Sequence, residues 1–167
     1  MLTPFQRADV TPIRDALLRD CDPADIVSVY FRAAVPPVRS IDSAEQWLRL
    51  RGILGCREVY EALGIKSLPI ESPATFNYAT CLEVIGTLAN LLMRGGVHNK
   101  FVDNCDEAIT RSRRFLDSAF GGQYDSVEAY SSREPWCEWF VGDRILDETV
   151  LIGRYDEWWL LAVTGTD

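Results

Sequence analysis

Eight residues near the C-terminus, Glu157-Trp158-Trp159-Leu160-Leu161-Ala162-Val163-Thr164, constrain the fold more than any other stretch of the chain. Successive side chains of a strand point to opposite faces. Trp158, Leu160 and Ala162 therefore fall on one side, and Trp159, Leu161 and Val163 on the other. A strand that is apolar on both faces belongs inside a sheet, with helices over one face and further structure over part of the other. Two more runs lead into it. Trp136-Cys137-Glu138-Trp139-Phe140-Val141 is rich in aromatic and β-branched residues, and Thr149-Val150-Leu151-Ile152-Gly153 is a second short run. Gly142-Asp143 and Tyr155-Asp156 supply turn signals between them, so residues of about 135–165 read as an antiparallel meander of about three strands.

The chain before this point follows helical periodicity. Thr11-Pro12 and Asp22-Pro23 each place a capping side chain before a proline suited to the first helical turn. Ile26, Val27, Tyr30 and Phe31 then sit at helical spacing, although their β-branched content leaves a strand open. Asp42 with Glu45, or Ser43 with Gln46, forms a capping pair ahead of Trp47, Leu50 and Leu54. Gly52 and Gly55 predict a kink or break, and Gly64 a helix end. Ser72-Pro73 opens a broad apolar helix whose Tyr78, Cys81, Leu82, Ile85, Leu88, Ala89, Leu92 and Met93 share one side, with Glu83 and Thr87 opposite; Gly95-Gly96 ends it. Asp103-Asn104 begins another, closed by Gly121-Gly122, and Asp125-Ser126-Val127-Glu128 is a last short cap-like start. The expectation is one α+β domain over residues 1–167. A helical N-terminal two-thirds, about 1–131, packs on a small C-terminal antiparallel sheet of about three strands.

Charge narrows the function. The 167 residues carry a net charge of −8, which disfavours binding to nucleic acid or to an anionic membrane surface. There is no apolar leader and no run long enough to span a bilayer, so a soluble, cytoplasmic protein is expected. The charge is uneven: residues 1–120 hold 15 acidic and 14 basic groups, whereas residues 121–167 hold 10 and 3. Four of the five tryptophans lie in that acidic segment. Carboxylates steer a cationic partner, and tryptophans are frequent binding anchors. Trp136, Trp139, Asp143, Asp147, Glu148, Tyr155, Asp156, Glu157 and Trp158 are the candidate partner-binding residues. Core packing for the tryptophans and turn formation for the acids are the competing explanation. The profile is similar in kind to bacterial immunity proteins, small cytosolic inhibitors that neutralise a cognate toxin. That resemblance is one of composition and not of a motif. It implies a basic protein partner, such as a nuclease-like toxin domain.

Catalytic motifs point elsewhere. Dinucleotide, phosphate-loop, nucleophile-elbow, zinc-helix and calcium-loop patterns are missing, and no Cys-x-x-Cys occurs among the five cysteines. No catalytic residue, cofactor or metal ligand is assigned. The alternative enzyme reading must run through His98, the only histidine, with Cys81 or Cys105 as nucleophile and Asp103 as orienter. A third reading is an adaptor subunit that pairs an apolar strand edge with another chain.

Overall fold

The computed structural model describes residues 23–36, 43–69, 75–94, 104–140 and 146–165. Its centre is a five-stranded, fully antiparallel sheet of β1 (Ile26–Arg32), β2 (Asn77–Ala79), β3 (Glu128–Ser132), β4 (Leu146–Arg154) and β5 (Glu157–Gly165), in the order β1-β5-β4-β3-β2. Four helices are seen among the described residues: α1 (Ser43–Leu54), α2 (Arg57–Leu63), α3 (Cys81–Arg94) and α4 (Cys105–Phe120).

The last strand behaves as its pattern demands. Trp159, Leu161 and Val163 join Val150 and Ile152 of β4 under Ile85, Leu88 and Leu91 of α3 and Phe115, Leu116 and Phe120 of α4. Trp158, Leu160 and Ala162 join Leu151 on the other face, against Leu50, Ile53 and Leu54 of α1 and Val59 and Leu63 of α2. The molecule is therefore layered helix, sheet, helix, with a core on each side of the sheet.

This corrects the expected architecture. The helices are not an N-terminal block packed on a three-stranded sheet, because three of the five strands come from within residues 1–132. Ile26–Arg32, expected as a helix, pairs along its whole length with β5, Ile26 opposite Val163 and Arg32 opposite Glu157. Its β-branched Ile26, Val27 and Val29 suit the pleat, and the sheet's open flank decides between the two forms. Glu128–Ser132 is a strand preceded by a 3-10 turn, Tyr124–Ser126, where a helix start was expected.

Trp136–Phe140 is not a strand. Trp136, Cys137 and Phe140 are buried while Glu138 is exposed, and the Phe140 amide donates to the Cys137 carbonyl. Burial at 136, 137 and 140 is the spacing of a tight turn laid on the sheet, anchored where Trp136 Nε1 donates to Thr149 Oγ1 at 2.8 Å. The helix expected from Ser72-Pro73 begins at Cys81. Thr80 and Glu83 cap it reciprocally: the Thr80 amide donates to Glu83 Oε2 at 2.6 Å, and the Glu83 amide to Thr80 Oγ1 at 3.3 Å. Tyr78, counted on the helical stripe, belongs to β2 instead.

Other expectations agree. The break near Gly55 separates α1 from α2, Gly64 ends α2 in the left-handed region at φ 65°, and Asn104 accepts the Glu107 amide at 2.7 Å as the cap of α4. The helix expected after Thr11-Pro12, the Asp22 cap, and Cys21, His98, Asp103 and Asp143 lie outside the described residues. No helix among the described residues is long and apolar enough to cross a membrane.

Candidate functional site

The acidic, tryptophan-bearing segment does not form one patch. Trp136 and Trp158 are 2% and 0% exposed, so both serve the core that α1 and α2 cover, and Trp139 is half-buried against the Phe140 ring. The acids divide between the two ends of the sheet. Asp147 and Glu148 open β4, whereas Asp156 and Glu157 follow its close. At roughly 3.3 Å per residue the ends of β4 stand about 26 Å apart.

Partial neutralisation of these acids is the second departure. Arg32, at the end of β1, lies 3.3 Å from Glu157 and 3.8 Å from Asp156. Arg49 of α1 takes Glu128 at 2.7 Å, and Arg133 approaches the buried Glu148 at 3.4 Å. Asp147 accepts the Thr164 hydroxyl at 2.7 Å. Four of the segment's ten acids, Glu128, Glu148, Asp156 and Glu157, are thus ion-paired.

Tyr155 reaches solvent, at 74% exposure, and so does its neighbour Asp156. Tyr155 is the first residue of the two-residue β4–β5 connection and the one non-glycine with positive φ, 61°, among the described residues. Glycine, asparagine or aspartate ordinarily fills such a place. A left-handed tyrosine costs about 1–2 kcal/mol, and glycine gives back about 0.5–1 through the freedom of its unfolded chain. Tyr155→Gly is expected to raise stability by about 0.5–1 kcal/mol, read as an increased urea midpoint at unchanged slope. A fall in the midpoint would mean that the tyrosine ring contributes more than its backbone costs.

A concave site appears at the far edge of the sheet. It is a cleft of about 520 Å³ between β2, the end of β3 and the outer side of α3, lined by Asn77, Tyr78, Glu83, Gly86, Thr87, Ser131, Arg133 and Glu134 among others. The cap at Thr80 fixes Glu83 at its rim, and the two hydrogen bonds from Thr80 lower the Glu83 carboxyl below its usual range. Glu134 is exposed at the mouth. Arg133 is the one cation among the lining residues, and the buried Glu148 behind it offsets its charge.

Gly86 borders this open space. A Cβ built there meets nothing within 4 Å, although glycine weakens a helix interior by about 1 kcal/mol. The cleft is therefore polar and net acidic, shaped by small side chains on the outer face of α3. Sequence reasoning placed Glu83 and Thr87 on the polar side of this helix, and the neighbouring Gly86 was the signal that this side is recessed.

The thiols near these elements do not resemble activated nucleophiles. Burial pushes Cys81 and Cys56 up, and Cys137 up to about 11. Among the described residues no cluster of three or more His, Cys, Asp or Glu is placed to hold a metal ion. Comparison with protein-family models, with curated proteins and with solved structures finds no match. What the fold and site define is a class of architecture: an antiparallel sheet between two helical layers, with an acidic cleft at one edge.

Proposed function

We propose that this chain is a non-catalytic protein-binding protein, an immunity-type inhibitor that captures a basic partner. The observation that supports this reading is the edge cleft. Its rim presents Glu83 and Glu134, and its own arginine is already matched by Glu148. Such a site attracts Lys or Arg side chains and raises the rate of encounter with a cationic surface. The contact surface moves accordingly, from the tryptophans and the Asp156–Glu157 pair to the β2 edge. Reversing Asp156 or Glu157 would break their ties to Arg32 and so disturb β1 as well.

Glu134→Lys is the cleaner test, because Glu134 is exposed and its side chain caps no helix. A basic protein recovered by affinity capture with the wild-type chain is expected to associate about tenfold more slowly with Glu134→Lys, and with a shallower dependence on salt. Rates that ignore both the substitution and ionic strength would refute the cleft as the contact. Circular dichroism of the variant should match that of the wild type.

A further inference from the structure

Resting on the acidic-cleft reading, we propose that the partner enters as an extended, basic segment which adds to the sheet as a sixth strand alongside β2. Three features converge on this. First, β2 ends the strand order, and among the described residues no strand pairs beyond it. A terminal strand presents a row of backbone donors and acceptors to an incoming chain.

Second, the two faces beside that edge differ in chemistry. Ala79 packs into the core under α3, so the α3 side of the edge is the side of Glu83, Gly86 and Thr87. Tyr78 points the other way, meets Tyr130 edge-to-face at 5.7 Å, and remains 54% exposed. Side chains of an added strand alternate between these two environments. One set would meet Glu83 and Glu134 and should be Lys or Arg; the other would cover the Tyr78 ring and should be apolar.

Third, the geometry leaves room. The open space over Gly86 and the small Thr87 and Ser131 accommodate long cationic side chains without moving α3. The occupant is thus a strand of alternating basic and apolar residues, whose backbone supplies affinity and whose charge supplies selectivity.

The test uses the whole chain and end-capped peptides of about eight residues, a full strand's length. One alternates Lys and Val. A second has the same sequence with alternate backbone amides N-methylated along one edge, in the two possible registers. A third replaces Lys by Glu. Binding is followed by titration calorimetry and by backbone amide shifts.

The proposal expects the Lys-Val peptide to bind with the largest shifts on Asn77–Ala79. At least one methylated register should bind about tenfold more weakly, since backbone bonds are lost at unchanged charge. The Glu peptide should not bind, and Glu134→Lys should weaken the Lys-Val peptide. Equal binding of the unmethylated peptide and both methylated registers, still weakened by Glu134→Lys, would overturn strand addition and leave the acidic cleft standing. Shifts centred on β1 would also overturn strand addition at β2. Binding indifferent to Glu134→Lys, or no binding of any peptide, would overturn both.

Discussion

Replacing Arg49 by methionine is expected to cost about 3–5 kcal/mol of folding stability, the loss that follows when one member of a buried ion pair is removed. The Arg49 side chain is 4% exposed. Its Nε and one terminal nitrogen grip the two oxygens of Glu128 at 2.7 Å each, and the other donates to the Val35 carbonyl at 2.9 Å and to that of Pro36. The guanidinium also lies 5.6 Å over the Trp158 ring. One side chain thereby ties α1 to β3 and to the segment after β1.

Methionine fills comparable space but leaves the Glu128 carboxylate and two carbonyls without their donor. Glu128 is 26% exposed, so water recovers part of the loss and the lower end of the range is expected. Lysine should rescue poorly, because it cannot match the two-pronged geometry. Adding Glu128→Leu to Arg49→Met should restore much of the stability, since the orphaned charge is then gone. Urea unfolding of the two single variants and the double variant measures this. A loss below about 1 kcal/mol for Arg49→Met would show that the pair is incidental to the fold.

Arg49 also shows where sequence reasoning stops. It is one arginine in an arginine-rich chain, and its partner is 79 residues away. No local spacing announces the pair. The same limit explains the strand errors. Ile26–Arg32 satisfies a helical and an extended pattern equally well, and only the free flank of β5 selects one. β2 has three residues, too few to display any period. Trp136–Phe140 has strand-like composition, but the buried positions are 136, 137 and 140, which is the spacing of a turn.

What local chemistry can encode was legible. The alternating core of β5, the β4–β5 hairpin, the Gly64 and Gly121 helix ends and the Asn104 cap each depend on a few adjacent residues. The site was harder for the same reason. Acidity was visible, yet two cations that offset part of it, Arg32 and Arg49, come from the nearly neutral first part of the chain. The two acids of the cleft, Glu83 and Glu134, lie 51 residues apart in sequence and line one site.

Gly153→Ala is expected to destabilise the fold by about 3 kcal/mol, at the upper end for overfilling a packed site. Gly153 lies in β4, opposite Trp158 on one neighbour and Glu128 on the other. A single added Cβ would collide with Cδ2 and Cε3 of the Trp158 ring and with the Glu157 carbonyl. Its φ is ordinary, so the requirement for glycine is one of space and not of backbone conformation. The ring has no retreat: Trp158 is wholly buried, with Arg49 over one side and the Tyr130 ring 6.4 Å away. A shorter side chain at 158 should therefore relieve the clash. Trp158→Leu alone leaves a cavity and costs about 3 kcal/mol, but in combination with Gly153→Ala the total should fall well short of the sum. Strict additivity would place the strain elsewhere. Gly86→Ala is the matched control, because its new methyl enters open space and a helix gains about 1 kcal/mol from the exchange. The two glycines differ in their surroundings: one leaves room for a tryptophan in the core, and the other borders an open cleft at a cost to its helix.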